Sequence, residues 1–201
     1  MEYIKLFQEN QYVHVPQIIS KDISNFIYNY LVIKGCTNQD FTEGDIDISK
    51  NYIHYCYGDL CTETLLGFLQ DPLSKITQKN LCPTYSYTRL YLTGETLKPH
   101  VDRESCQYSV TINFGGDPWP IYFGKLNKGN DLDNGYSLLS EVLLQPGDGI
   151  IYMGEELVHW RNKFEGDHCA QGFLHYIDEN GPYFPKFQYD GRKNIGYKKF
   201  K

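Results

Sequence analysis

The sequence predicts an α+β protein that is mainly β, with its helices confined to the first 80 residues. Before residue 80, apolar side chains recur at helical spacing. From Thr84 onward, short runs of alternating apolar and polar residues are separated by turns, seven or eight runs in all. This pattern is typical of a sandwich or barrel, and a jelly roll is one architecture that closes such strands over a cavity, with helices packed outside one sheet.

The helical region contains one strong pattern and two weaker ones. Ser20 is a good N-cap and Gly35 is placed to end a helix whose apolar face comprises Ile23, Phe26, Ile27, Tyr30 and Leu31. A second helix is expected over about residues 59 to 70. Asp71-Pro72 then supplies a cap and a first-position proline for a short third helix. Residues 36 to 58 are expected to form loop or irregular strand.

The strand region begins with an alternating run from Tyr85 to Leu92. The other expected strands span residues 107 to 114, 119 to 124, 141 to 145, 148 to 152, 157 to 162 and 169 to 177. Residues 145 to 149 and 130 to 135 read as turns. We expect one domain over residues 1–201, comprising a helical support region (1–80), a β core (81–178) and a C-terminal tail (179–201).

Net charge, apolar content and cysteine spacing argue against several classes of protein. The net charge of -6 argues against a nucleic-acid-binding surface, and the basic tail after Lys186 is expected to be a solvated end. The sequence shows neither a signal peptide nor an apolar stretch of about 18 residues, so we expect a soluble, intracellular and cytoplasmic protein without membrane contact. The 6 cysteines lack paired spacing, which predicts free thiols. Composition gives no oligomeric state.

The sequence His100-Val101-Asp102, followed much later by His159, is the candidate functional motif. Pro99 cannot sit inside a helix and favours extended geometry before it, so we expect an extended segment from Pro99 to Arg103. Residues i and i+2 of a strand point to the same side, which would aim His100 and Asp102 at one point. Two histidines and one carboxylate form the ligand set that binds non-haem ferrous iron and leaves other positions open for chemistry.

With these residues on strands, the chain resembles the iron(II) and 2-oxoglutarate dependent dioxygenases, and within them the prolyl 4-hydroxylase-like branch. The resemblance covers roughly residues 80 to 178 and is carried by the segments at 85 to 91, 99 to 103, 108 to 114, 146 to 148 and 159 to 161. It implies a double-stranded β-helix (jelly roll) core with the N-terminal helices packed on the major sheet. It also implies Fe(II) bound by His100, Asp102 and His159, with conversion of 2-oxoglutarate and O2 to succinate and CO2.

The resemblance further implies residues that contact 2-oxoglutarate. The family commonly holds the far carboxylate with an Arg or Lys about nine residues after the distal histidine, where this chain has His168. A histidine can bind a carboxylate but lacks the bidentate fork of a guanidinium. Arg89 is the other leading cation, while Arg103 and Arg161 neighbour the ligands in sequence. Further expected contacts are Tyr85, Tyr87, Tyr91 and Asn113.

These residues predict a dioxygenase that hydroxylates a peptidyl side chain, with proline as the first guess, or a small molecule. One alternative is a cupin-like non-haem iron dioxygenase that does not use 2-oxoglutarate, which His168 in place of Arg motivates. Another alternative is a non-catalytic jelly-roll binding domain. The remaining histidines His14, His54 and His175 are expected to be ordinary packed or surface residues, and Trp119 and Trp160 are expected to serve packing.

Overall fold

The computed structural model describes residues 2–37, 55–127, 132 and 135–197. Within them, the helices are α1 (Glu2–Asn10), α2 (Lys21–Thr37) and α3 (Leu60–Thr77). The strands are β1 (Tyr12–Val15), β2 (Tyr55–Tyr57), β3 (Leu81–Leu92), β4 (Leu97–His100), β5 (Tyr108–Gly116), β6 (Ile121–Leu126), β7 (Tyr136–Val142), β8 (Gly149–Met153), β9 (Val158–Arg161) and β10 (His168–Asp178). None of the described helices is both long enough and apolar enough to cross a membrane.

The strands form two antiparallel sheets. The larger sheet has the order β1-β8-β5-β10-β3-β2, and the smaller sheet has the order β4-β9-β6-β7. The sheets pack against each other, because the ring of Phe123 on β6 lies 5.1 Å from that of Tyr152 on β8. Apolar side chains from both sheets are buried in the same cluster. The prediction of a mainly β protein with helices in its N-terminal third is therefore confirmed.

The other face of the larger sheet is covered by helices α2 and α3. On β10, Ala170, Leu174 and Tyr176 share a buried cluster with apolar residues of these helices, and the Tyr176 hydroxyl donates to the Leu66 carbonyl at 2.7 Å. The intervening residues of β10 point the opposite way, toward the smaller sheet, as Cys169 shows by packing with Tyr91 and Trp119. Strand alternation thus gives β10 a helix-facing side and an interior side.

Two predicted helix boundaries are wrong. Helix α2 begins behind Ser20, whose Oγ accepts from the Ile23 amide at 3.3 Å, but it continues through Gly35 to Thr37. The two helices expected on either side of Asp71-Pro72 are one helix, α3, with Pro72 inside it. The buried face of α3 continues across the proline through Leu69 and Leu73, so packing outweighs the lost backbone hydrogen bond.

The strand predictions hold for most of the β region and fail at three places. Helix α1 and strand β1 were not expected, and β7 begins earlier than the predicted strand at 141 to 145. Strand β7 lies at the edge of the smaller sheet and exposes both Leu138 and Leu139, so no alternation marks it. The expected loop at 36 to 58 and turn at 130 to 135 fall largely outside the described residues, and His54 does so entirely. Cys56, Cys61, Cys82, Cys106 and Cys169 are free thiols.

The C-terminal segment packs on the rest of the molecule through a buried ion pair, in contrast to the solvated tail expected for it. Glu63 of α3 accepts from Arg192 Nη2 at 2.9 Å, from the Gly196 amide at 2.8 Å, and from the Ser86 amide and hydroxyl at 2.8 and 3.0 Å. Arg192 also donates to the Thr84 carbonyl at 2.9 Å. This cluster joins α3, β3 and the last described residues.

The variant Glu63→Gln should lower the free energy of unfolding by about 3 kcal/mol or more, because it leaves the buried Arg192 guanidinium without a charge partner. Urea denaturation followed by circular dichroism measures this. The matched control is Glu9→Gln, which breaks an exposed pair with Lys5 and should cost less than about 0.5 kcal/mol. Equal effects of the two variants would contradict a stabilising role for the buried pair.

Candidate metal centre

Antiparallel pairing of β4 with β9 brings the two histidines of the motif together. In this register His100 lies directly opposite His159, and their ring centroids are 4.2 Å apart. Strand β4 ends at His100, so Asp102 lies in the loop that follows this strand. The Asp102 amide donates to the Gly154 carbonyl at 2.8 Å, and its Oδ1 lies 3.7 Å from His100 Nε2 and 3.6 Å from His159 Nε2. The three ligand atoms all lie within 4.8 Å of one another.

Backbone carbonyls orient both imidazole rings. His100 Nδ1 lies 2.8 Å from the Lys98 carbonyl, and His159 Nδ1 lies 2.9 Å from the Leu157 carbonyl. A carbonyl can only accept, so Nδ1 is the donor in each ring, and Nε2 is the ring nitrogen on the side of Asp102. Such fixing of the ring through its other nitrogen is the usual support of a metal-binding histidine. Burial lowers the pKa of His100, which favours the neutral, metal-binding form.

The second oxygen of Asp102 is held by the larger sheet. Ser109 of β5 donates to Asp102 Oδ2 at 2.9 Å, and Ser109 Oγ lies 2.9 Å from His175 Nδ1 on β10. Burial alone would raise the pKa of Asp102, but His159, His175 and Ser109 favour the anion and lower the pKa to about 2. Burial also lowers the pKa of His175 to about 4. Asp102 is therefore an oriented anion with Oδ1 directed at the histidines.

A glycine allows this close packing. A Cβ atom on Gly154 would lie 2.4 Å from Asp102 Oδ2 and 2.7 Å from Ser109 Oγ, closer than any real side chain comes. Sequence reasoning missed Gly154 and Ser109, and it treated His175 as an ordinary packed residue. For Ser109 a signal exists, because it alternates in phase with Thr111 and Asn113 along the run that becomes β5.

Arg161 lies two residues beyond His159 on β9, and it faces the same interior. Its side chain is 1% exposed, Nη1 donates to the Trp119 carbonyl and Nη2 donates to Gln171 Oε1 at 3.1 Å. The guanidinium carbon lies 5.0 Å from the centre of the Trp119 ring. Arg161 Nε has no hydrogen-bond partner, and no described carboxylate forms an ion pair with this arginine.

Several residues expected to contact a co-substrate share one face of β3. Tyr85 lies 4.6 Å from the His175 ring and its hydroxyl is 3.1 Å from Cys106 Sγ. Tyr87 packs on Phe173 at 6.1 Å. Arg89 lies over the ring of Tyr91 at 4.6 Å and pairs with Glu95 at 2.5 Å. The Arg89 Nε atom, like that of Arg161, has no partner in the described part of the chain.

Two of the residues expected to contact the co-substrate form hydrogen bonds with other groups of the protein. Asn113 uses its amide locally, donating to the Leu144 carbonyl at 2.7 Å and accepting from the Gly115 amide at 3.0 Å. His168 lies on the helix-facing side of β10, with Nε2 2.5 Å from the Tyr28 hydroxyl of α2 and the two rings stacked. Alternation places His168 opposite in direction to Cys169, on the side of β10 that faces helix α2.

No family model matches this sequence, and no curated protein sequence matches it. Solved structures do match its fold. SnoN, a non-haem alpha-ketoglutarate-dependent epimerase from nogalamycin biosynthesis, superposes with a TM-score of 0.68 at 11% identity, covering 88% of this chain and 81% of SnoN. EctD from S. alaskensis, with 2-oxoglutarate and 5-hydroxyectoine, gives 0.63 at 13% identity, covering 96% and 88%. A Pseudomonas putida prolyl-4-hydroxylase gives 0.59 at 10% identity, covering 88% and 98%.

The variant Ser109→Ala should weaken binding of Fe(II) by about 10- to 100-fold, because it releases Asp102 Oδ2 from the larger sheet. Anaerobic titration of the apoprotein with Fe(II), or with Co(II) as an optical probe, measures the affinity. Ser105→Ala is the matched control, since Ser105 is a neighbouring buried serine whose hydroxyl does not contact Asp102. Undiminished affinity in Ser109→Ala would contradict the orienting role of this hydroxyl.

This chain itself has two packed antiparallel sheets, with His100 and His159 on the smaller sheet and Asp102 in the loop after β4. At 10% to 13% identity, the likeness concerns the three-dimensional arrangement of the chain. The chain therefore has the fold of the non-haem enzymes that depend on 2-oxoglutarate.

Proposed function

We propose that this protein is a non-haem Fe(II) oxygenase that uses 2-oxoglutarate and O2, with the iron held by His100, Asp102 and His159. The observation that carries the proposal is the convergence of two imidazole Nε2 atoms and one carboxylate Oδ1 within 4.8 Å. Two histidines and one carboxylate on one face of the metal are the donor set of non-haem Fe(II) oxygenases. The residues present fit the ion in charge and in ligand type.

The strand order supports the double-stranded β-helix expected from the sequence. Along the chain, β3, β5, β8 and β10 join the larger sheet, while β4, β6, β7 and β9 join the smaller one. The chain therefore crosses repeatedly between two four-stranded layers, as the eight strands of a jelly roll do. In this proposal β1 and β2 extend the larger sheet at its two edges, and the whole described chain is one domain.

The protein's own contribution is to orient the ligands and to exclude water from one side of them. His159 is 2% exposed and packs against Tyr152 at 4.8 Å and Phe123 at 6.2 Å. The side chain of His100 is 37% exposed, so the substrate would approach from the His100 side. When bound, the iron and 2-oxoglutarate supply the oxidising chemistry, with succinate and CO2 as co-products.

The substrate would be a peptidyl side chain or a small molecule that is hydroxylated. Both classes are represented among proteins of this fold, in the prolyl-4-hydroxylase and in EctD. Arg103, next to Asp102, has a half-exposed side chain over the Tyr85 ring and is a candidate contact for such a substrate. We do not assign a nucleic acid or a membrane as a partner, in keeping with the net charge of -6.

A second candidate is a cupin-like iron dioxygenase that does not use 2-oxoglutarate. The observation that favours it is the absence of an arginine or lysine near the start of β10, where His168 faces helix α2. The non-catalytic binding domain is less well supported, because the three metal-binding side chains are present and oriented.

Anaerobic addition of Fe(II) and then 2-oxoglutarate, followed by optical spectroscopy, separates these functions. A metal-to-ligand charge-transfer band supports the first, iron binding without a band supports the second, and no iron binding supports the third. His159→Ala should abolish both the band and succinate production in the absence of substrate. The control His14→Gln changes a histidine that pairs with Asp148 and should keep both signals. Full turnover in His159→Ala would refute the assignment of the ligands.

A further inference from the structure

Arg161 is a buried cation whose charge is not balanced by any described carboxylate. Its side chain is 1% exposed, whereas buried arginines elsewhere in the molecule have acidic partners, as Arg192 has in Glu63. A guanidinium does not lose its proton at physiological pH, and an uncompensated buried charge is costly. The arrangement therefore fits a site that is completed by an anion.

The unused donor of Arg161 is also buried. Nη1 and Nη2 are engaged by the Trp119 carbonyl and Gln171 Oε1, and these contacts fix the plane of the guanidinium. Nε has no hydrogen-bond partner among the described residues, although this atom is inaccessible to solvent. Each Nη carries a second hydrogen, so Nε and one Nη can together present the paired donors that a carboxylate binds.

The position of Arg161 connects it with the candidate metal centre. His159 and Arg161 are residues i and i+2 of β9, so both side chains face the interior, separated by about 6.6 Å along the strand. On the opposite sheet, Gln171 and Phe173 are two positions apart on β10, so both lie on its interior side. Phe173 packs on Tyr87. The arginine thus lies on the same interior side of β9 as His159, and it is more deeply buried than His100.

We propose that Arg161 binds the far carboxylate of the 2-oxo acid co-substrate, with Gln171 as a positioning residue that orients the guanidinium. This inference rests on the proposed function for the existence of the co-substrate. In this proposal the residue that binds the far carboxylate is Arg161 on β9, and not His168 at the start of β10. A five-carbon 2-oxo dicarboxylate would place one charge at the metal and the other at Arg161, so the site selects for a second carboxylate.

The other cations of the region are less suited to this role. Arg89 is neutralised by Glu95 and its side chain is 31% exposed. Arg103 pairs with Asp190 at 3.0 Å in the C-terminal segment, and its side chain is 47% exposed. His168 is bonded to Tyr28 on the helix-facing side of β10. Among these candidates Arg161 alone is both interior and without a described acidic partner.

The test compares two ligands that differ only in the far carboxylate. The Fe(II)-loaded protein is titrated without oxygen with 2-oxoglutarate and with 2-oxopentanoate, and the dissociation constants are read from the optical change on binding. Wild type should prefer 2-oxoglutarate. Arg161→Gln should weaken 2-oxoglutarate binding by about 10- to 100-fold and leave 2-oxopentanoate binding unchanged, because only the charge-assisted contact is lost. Arg161→Lys should retain part of the preference.

Gln171→Glu is a second, nearly isosteric variant that keeps Arg161 in place. It puts a fixed carboxylate beside the guanidinium, where the amide oxygen is now 3.1 Å from Nη2. This internal anion should compete with the co-substrate and reduce the preference for 2-oxoglutarate at least tenfold, with little effect on 2-oxopentanoate. The variant decides the question even if Arg161→Gln does not fold, and circular dichroism of each variant reports folding.

Arg89→Gln and His168→Ala distinguish the rival positions. We expect both to retain a clear preference for 2-oxoglutarate. The inference is overturned if wild type binds both ligands equally, if Arg161→Gln and Gln171→Glu keep the wild-type preference, or if Arg89→Gln alone loses it. Failure of wild type to bind 2-oxoglutarate, with Fe(II) bound normally, would instead reject the co-substrate in the proposed function and the role of Arg161 with it.

Discussion

The register between β4 and β9 is the constraint on which the candidate site depends. It sets His100 opposite His159, and the pairing of β9 with β6 sets Phe123 opposite His159 on the other side. A slip of one residue would turn His159 to the outer face, where Trp160 now stacks with Tyr122. The aromatic packing of Trp160 outside and of His159 inside therefore secures the same register from both faces of the smaller sheet.

The two sheets supply different groups to the candidate site. The candidate metal-binding side chains come from the smaller sheet and the loop after β4, whereas the groups that restrain Asp102 come from β5 and β10 of the larger sheet. Buried polar groups near the site are satisfied by this cross-sheet bonding, as buried polar groups in proteins generally are. The buried side-chain donors without partners in the described chain are the Nε atoms of Arg89 and Arg161, both of which lie against interior aromatic rings.

Sequence reasoning reached the ligand cluster because the H-x-D spacing and Pro99 are local signals. It could not find Gly154, since the importance of this glycine arises from contacts between segments far apart in the chain, and it missed Ser109 although the alternation along β5 marks that residue. The expectation for His168 rests on its spacing from His159, and spacing alone does not tell which face of β10 a residue occupies. Helix α3 shows the same limit, because Pro72 signals a boundary that tertiary packing overrides.

The last strand of the chain is also a central one. β10 lies between β5 and β3 in the larger sheet, so these two strands are joined only when residues 168 to 178 arrive. His175, which bonds Ser109 beneath Asp102, belongs to this strand. During synthesis from the N-terminus, the ligands His100, Asp102 and His159 thus emerge before the strand that closes the sheet behind them. The hydrogen bonds that restrain Asp102 through Ser109 and His175 would accordingly be completed only after this central strand has joined the sheet.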